Sequence, residues 1–144
     1  MELEAKILEV IRGPKLAALA TVKEESGKVL PAVRYIVTMG FEDFSLMTAT
    51  RKSSGKVRDI KKNPNISLTI WSGKDLIPED LTKPYVVIKG KAELIDDQET
   101  KNRFWNPYLE NHFNGINDPE YGLMKFVPNS IEYYHGKTVN VWIK

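Results

Sequence analysis

Between residues 15 and 143, apolar runs of strand length recur, and short polar turns separate several of them. Residues 15–22 (KLAALATV) and 29–39 (VLPAVRYIVTM) flank a turn around Ser26-Gly27, which predicts a β-hairpin. Pro31, early in the second run, points to an edge strand or a bulge, because proline cannot donate to a sheet ladder. A further turn at 40–43 leads to a third strand at 44–49, so the three form a meander. Residues 65–71 (NISLTIW) alternate as a fourth strand, and 84–95 form a long fifth one. Gly90 in its middle suggests a bulge or a bend at a barrel corner. Residues 121–134 read as a strand interrupted near Pro128-Asn129, and 138–143 (TVNVWI) as the last. Leu3, Ile7, Leu8 and Ile11 recur at helical spacing, which predicts a helix over 2–12 closed by Gly13-Pro14. A second short helix covers 98–105, a third piece covers 108–113, and 72–83 is a polar loop. Six to seven mostly antiparallel strands with flanking helices predict a mainly β fold, a closed or half-closed barrel. At 144 residues, 1–144 is expected to be a single domain.

Residues 44–64 (FSLMTATRKSSGKVRDIKKNP) carry the clearest functional signal. They read as a strand, a polar turn and a helix that Pro64 stops. A helix N-terminus has backbone N–H groups without intrahelical acceptors, and its dipole favours an anion. Ser53 and Ser54 can cap that helix or donate hydroxyls to a phosphate, and Lys56 would face the same anion. Six cations stand against one acid, Asp59, between Arg51 and Lys62. A solvated basic face, a phosphate-bearing small ligand and a nucleic acid all fit that composition. Arg34 lies among Val33, Tyr35 and Ile36, and a guanidinium inside an apolar strand needs a partner. The residues alone leave two readings open: a structural salt bridge or solvent, and a cleft arginine holding a phosphate.

Composition narrows the choice. A formal net charge of +2 argues against nucleic acid as the main partner. The chain has no cysteine, which excludes disulfides and thiolate metal sites, and His112 and His135 share no ligand spacing, so no metal site is expected. The first residues are too polar for a signal peptide, and no run approaches the ~18 apolar residues of a membrane span. The expectation is a cytoplasmic protein without a membrane partner. There is no G-x-S-x-G motif, no Walker loop and no G-x-G-x-x-G after a strand. The acidic pairs Glu24-Glu25, Glu79-Asp80 and Asp96-Asp97 all fall in turns or loops. With so little acid–base chemistry of its own, the chain would rely on a cofactor for any reaction.

Taken together, several motifs resemble one family. They are Leu19-Ala20-Thr21-Val22 with its Gly27 turn, Arg34-Tyr35-Ile36-Val37, and Thr50 followed by Ser54-Gly55-Lys56 ahead of Asn63-Pro64. Gly90-Lys91-Ala92-Glu93-Leu94, Phe104-Trp105-Asn106-Pro107 and the stretch from Phe126 to Tyr134 complete the series. In order and spacing they resemble the pyridoxamine 5′-phosphate oxidase-like, FMN-binding split-barrel proteins, on the general stress protein 26 branch. The resemblance spans nearly the whole chain. It implies a homodimer with FMN bound between the subunits. Arg34 and Lys56 would hold the phosphate, with Ser54 and Thr50 as hydroxyl donors beside Gly55. The backbone of Arg34, Tyr35, Ile36 and Val37 would line the isoalloxazine, and Ala49 and Thr50 would sit at its edge. Tyr85 stands where the oxidase branch has a glutamine near the flavin, and Trp105 and Tyr134 are candidates from the partner subunit.

The chain departs from the oxidase pattern in two places. Met39 replaces a lysine on the arginine strand. The segment Lys137-Thr138-Val139-Asn140-Val141-Trp142 replaces the arginine–histidine segment that grips a substrate phosphate. The resemblance therefore implies FMN binding and oxidoreductase chemistry on an unidentified small electron donor or acceptor, without pyridoxamine phosphate oxidation. A flavin reservoir without turnover, and a binder of deazaflavin or haem, are the alternatives the family offers.

Overall fold

A computed structural model describes residues 2–144; Met1, the first residue of the expected domain, lies outside them. Helix α1 (Leu3–Ile11) is followed by the long hairpin β1 (Gly13–Glu25) and β2 (Lys28–Gly40). Then come β3 (Leu46–Arg51), α2 (Gly55–Lys62) and β4 (Asn65–Trp71). The short α3 (Pro78–Leu81) precedes β5 (Tyr85–Ile95) and α4 (Gln98–Phe104). A 3₁₀ turn (Pro107–Asn111), β6 (Tyr121–His135) and β7 (Thr138–Ile143) complete the chain.

All strand pairs are antiparallel, in the order β3-β2-β1-β4-β5-β6-β7, and β3 also pairs with β6. The sheet thus closes into a ring of six strands, with β7 as a branch. β6 shares one edge between two neighbours: 121–126 pair with β3 and 130–135 with β7. Closure removes sheet edges that would otherwise template aggregation.

The ring is filled by alternate side chains of its strands, among them Leu19, Leu68, Ile88, Phe126 and Ile131. Ile7, Val10 and Ile11 of α1 join this core, and so do Val57 and Ile60 of α2, which packs along β1. The docking of α1 depends on Gly40. A Cβ there would meet the Ile11 carbonyl oxygen at 2.3 Å, a distance no real side chain tolerates. A second, smaller core lies outside the ring, where α4 and the 3₁₀ turn cover the outer face of β3 and β6. Tyr121 anchors it: fully buried, its hydroxyl donates to the Lys101 carbonyl at 2.8 Å, and burial pushes its phenol up to about 12. The same carbonyl also accepts the Trp105 amide at 3.1 Å, so Tyr121→Phe removes one of its two hydrogen bonds and is expected to lower stability by about 1 kcal/mol in chemical denaturation.

The meander expected from the first three strands is only half formed. β2 and β3 pair over two positions, Met39↔Met47 and Gly40↔Leu46, and then diverge, so β3 finds its main partner in β6. Two other expectations change. β6 runs unbroken through Pro128-Asn129, because the irregularity there is a register shift in its pairing opposite Lys89/Gly90. A Cβ at Gly90 would meet the Val127 carbonyl oxygen at 2.1 Å, so the bulge needs a glycine. The loop 72–83 contains α3, because Asp80 accepts from the amides of Lys74 and Asp75 and folds the segment back on itself.

Candidate functional site

The divergence of β2 and β3 opens a seam in the barrel wall. Thr48 spans its upper end, its hydroxyl donating to the Val37 carbonyl at 2.7 Å. Below that bridge, α2 presents its N-terminus. The amides of Gly55, Lys56 and Val57 have no acceptor among the described residues, and the Ser54 side chain makes no cap bond. Its hydroxyl lies instead 3.3 Å from that of Thr50. The turn is closed by Ser54 N–H donating to Arg51 O and by Ser53 N–H donating to the Glu120 carboxylate.

Arg34 points inward from β2. Its Nη1 donates to Thr21 Oγ1 at 2.7 Å, with longer contacts to the carbonyls of Leu19 and Ala32. Its Nη2 reaches Asp59 Oδ2 at 3.4 Å, and the Thr21 hydroxyl donates to the same Oδ2 at 2.8 Å. So the arginine has a structural partner, Asp59 on α2, whose side chain is 10% exposed. The guanidinium side chain is 27% exposed, and its Nε makes no hydrogen bond among the described residues. The structure thus shows the salt bridge of the first reading, with the Nε edge of the guanidinium unbonded among the described residues.

Lys56 is half-buried and has no hydrogen-bond partner among the described residues. Burial, and then the charge of Arg34, hold its ammonium below the usual lysine range. Lys56 thus feels the charge of Arg34, while the Asp59 carboxylate touches Arg34 and Thr21. A lysine depressed in this way costs the fold when charged. Between its lowered value and 10.5 the unfolded chain binds more protons, so stability rises with pH across that window. The melting temperature of ligand-free protein is expected to gain on alkalinisation within that window, and Lys56→Met should flatten the gain. Any anion that needs the charged ammonium should bind more weakly over the same interval.

The structure divides the remaining expected residues into groups. Tyr35 and Val37 project outward from β2, Tyr35 with 75% of its surface exposed, whereas Ile36 is buried in the main core. Ala49 packs in the second core with Trp105, whose ring meets Tyr121 edge-on at 5.2 Å. Tyr85 and Tyr134 pair across β5 and β6 and stack face to face at 4.7 Å and 6°. They stand on the outer face of β5 and β6 and not with Arg34. Trp142 turns inward and packs edge-on against Phe44, so from the last strand only Val139, Val141 and Ile143 are offered as exposed apolar surface. A cavity of about 120 Å³ lies behind Thr50, between α2 and the β5–β6 ends, bordered by Lys52, Lys61 and Asp96. Asp59 and Thr21 did not stand out in the sequence; the one signal was an acid three residues after Lys56, just before the apolar Ile60.

The outer face of β1, β2 and β4 is uncovered among the described residues. Leu16, Val33 and Tyr35 expose 62%, 69% and 75% of their surfaces there. A groove of about 530 Å³ runs along it past Ala20, Val29 and Lys89.

A six-stranded ring opened along one seam, with a cationic helix N-terminus beside the opening, defines a split barrel. The chain belongs to the pyridoxamine 5′-phosphate oxidase family, whose description matches residues 3–135. It is 32% identical over 130 residues to general stress protein 26 of Bacillus subtilis (strain 168), covering 90% of this chain and 86% of that protein. The crystal structure of general stress protein 26 from Bacillus anthracis str. Sterne superposes with a TM-score of 0.81 at 29% identity over 100% of both chains. A heme binding protein from Mycobacterium smegmatis shares the fold, with a TM-score of 0.74 at 13% identity, covering 99% of this chain and 59% of that one.

Proposed function

We propose that the protein is an FMN-binding flavoprotein that works as a homodimer. The observation that carries this reading is the pair Arg34 and Lys56: two cations at one seam, one with an unbonded guanidinium edge and one without a hydrogen-bond partner among the described residues. A phosphate monoester is the ligand such a pair suits, because it satisfies the free N–H groups and offsets the mutual repulsion. The unpartnered amides at the start of α2 add dipolar donors. Thr50 and Ser54 would supply hydroxyls. The backbone from Arg34 to Val37 would line the flat ring along the seam, with Ala49 at its edge.

FMN, when bound, would supply one- and two-electron transfer. The chain's own part is to bind the phosphate, orient the ring and exclude water. The uncovered apolar face gives the homodimer reading its support, since a second copy would bury it, with Trp105 and Tyr134 the candidates to reach the other subunit's seam. Haem is less well supported, because the His112 ring lies beside Tyr108 and the His135 ring beside Tyr133, and neither is among the hydrogen-bond partners of Arg34.

The test is the visible spectrum of protein purified under mild conditions and then titrated with FMN. Flavin bands, or tight uptake of added FMN, are the expected result; neither native bands nor uptake would overturn the reading. Anaerobic addition of NADH or NADPH then separates an oxidoreductase from a flavin reservoir, since only the former is bleached. No pyridoxal phosphate should accumulate from pyridoxamine phosphate in air. Arg34 and Lys56 would be committed to FMN, and the exposed residues of β7 are apolar where the oxidase branch grips the substrate phosphate. Aldehyde formation over many turnovers would restore that activity.

A further inference from the structure

We infer that Asp59, acting through Thr21, is a positioning residue that aims Arg34 at the ligand phosphate. This rests on the FMN reading above. The chemistry of the three groups allows one arrangement of protons. A guanidinium can only donate and an ionised carboxylate can only accept. The Thr21 hydroxyl touches both, at 2.7 Å from Arg34 Nη1 and 2.8 Å from Asp59 Oδ2. It must therefore give its proton to Asp59 and turn a lone pair to Arg34.

The consequence is geometric. Nη1 is taken by Thr21 and two carbonyls, and one hydrogen of Nη2 by Asp59. What remains is Nε–H and the outer hydrogen of Nη2. These lie side by side on one edge of the planar group, the pair that grips two oxygens of a phosphate in parallel. Asp59 and Thr21 thus hold the far edge and leave the near edge as the fork. The network is buried: Thr21 is 2% and Asp59 8% exposed. Asp59 also lies one helical turn beyond Lys56 on α2, so one helix carries the second cation and the acid that orients the first. Its carboxylate costs some attraction for an anion, so its presence is explained by aim and not by charge.

The experiment measures FMN and riboflavin affinities side by side for the parent, Asp59→Ala and Asp59→Asn, and for Asp59→Ala in an Arg34→Ala background. Riboflavin has the ring but no phosphate. If Asp59 aims Arg34, Asp59→Ala weakens FMN about tenfold and leaves riboflavin unchanged. Asp59→Asn, whose amide oxygen still accepts from Thr21 and Arg34, stays within about threefold. In the Arg34→Ala background the loss disappears. Three results would overturn the inference: FMN binding that tightens in both variants, as a mere counter-charge would give; equal losses for FMN and riboflavin; or an undiminished loss without Arg34. Should Asp59→Ala not fold, Thr21→Val carries the same test, because it removes the hydroxyl relay and keeps the charge. It should cost FMN severalfold and riboflavin nothing, and no change in FMN would again overturn the inference. A parent that binds neither flavin overturns the FMN reading itself, a different outcome from a parent that binds FMN and ignores Asp59.

Discussion

Arg34→Ala and Lys56→Ala are each expected to weaken FMN binding about ten- to a hundredfold, because each removes a charge-assisted contact to the phosphate. The two should differ in their side effects. Lys56 has no partner to orphan among the described residues, so Lys56→Ala should leave the melting temperature of the ligand-free protein unchanged or raise it, as a partly desolvated charge is removed. Arg34→Ala strands the carboxylate of Asp59, which keeps only the Thr21 hydroxyl. That variant should lose stability, by up to ~3 kcal/mol. It should also sit at the upper end of the affinity loss, because the unneutralised carboxylate then repels the phosphate. Fluorescence titration with FMN, alongside a thermal melt, separates the two effects. A variant that binds FMN as tightly as the parent removes that residue from the phosphate site.

Val33→Asp is expected to split the protein into monomers and release the flavin. Val33 stands on the outer face of β2 and exposes 69% of its surface. It lies one residue from Arg34, with Tyr35 beyond. If a second copy covers this face, a carboxylate there is buried without a partner, once in each subunit, at several kcal/mol each. Sedimentation of the parent in dilute buffer should give about twice the chain mass, and that of the variant the chain mass. A parent that sediments as a monomer at low micromolar concentration while holding flavin would rule out the shared site. A variant that stays dimeric would move the interface to another face.

How far these features could be read in advance depends on how local each one is. Arg34 was legible, because a guanidinium between Val33, Tyr35 and Ile36 has few ways to be tolerated. Its partner was not. Asp59 reads as a lone acid in a basic helix, and only the packing of α2 along β1 brings it to Thr21. The strand–turn–helix of 44–64 was legible from composition and the proline stop. The main partner of its strand was not, since β3 pairs with a segment near the other end of the chain. α3 spans four residues, too few for any periodicity, and is held by one carboxylate. The stack of Tyr85 on Tyr134 follows from strand register, and a local reading shows only that both residues lie in strands.

The late pairing of β3 also sets the order in which this protein can be built. Thr50, at the mouth of the turn that leads into α2, has Gly122 as its strand neighbour, and Arg51 has Tyr121. On a growing chain, the hairpin of β1 and β2 can form as it emerges, because its contacts are local. The barrel cannot close until β6 has been synthesised, and until then β3 has only its two positions with β2. Such distant pairings are slow to find, since the loop entropy is lost before any contact is gained. The turn before α2 therefore takes shape at the end of synthesis and not in the middle, where it is encoded. Chains cut before residue 121 should leave the ribosome with the edge of β3 bare and self-associate.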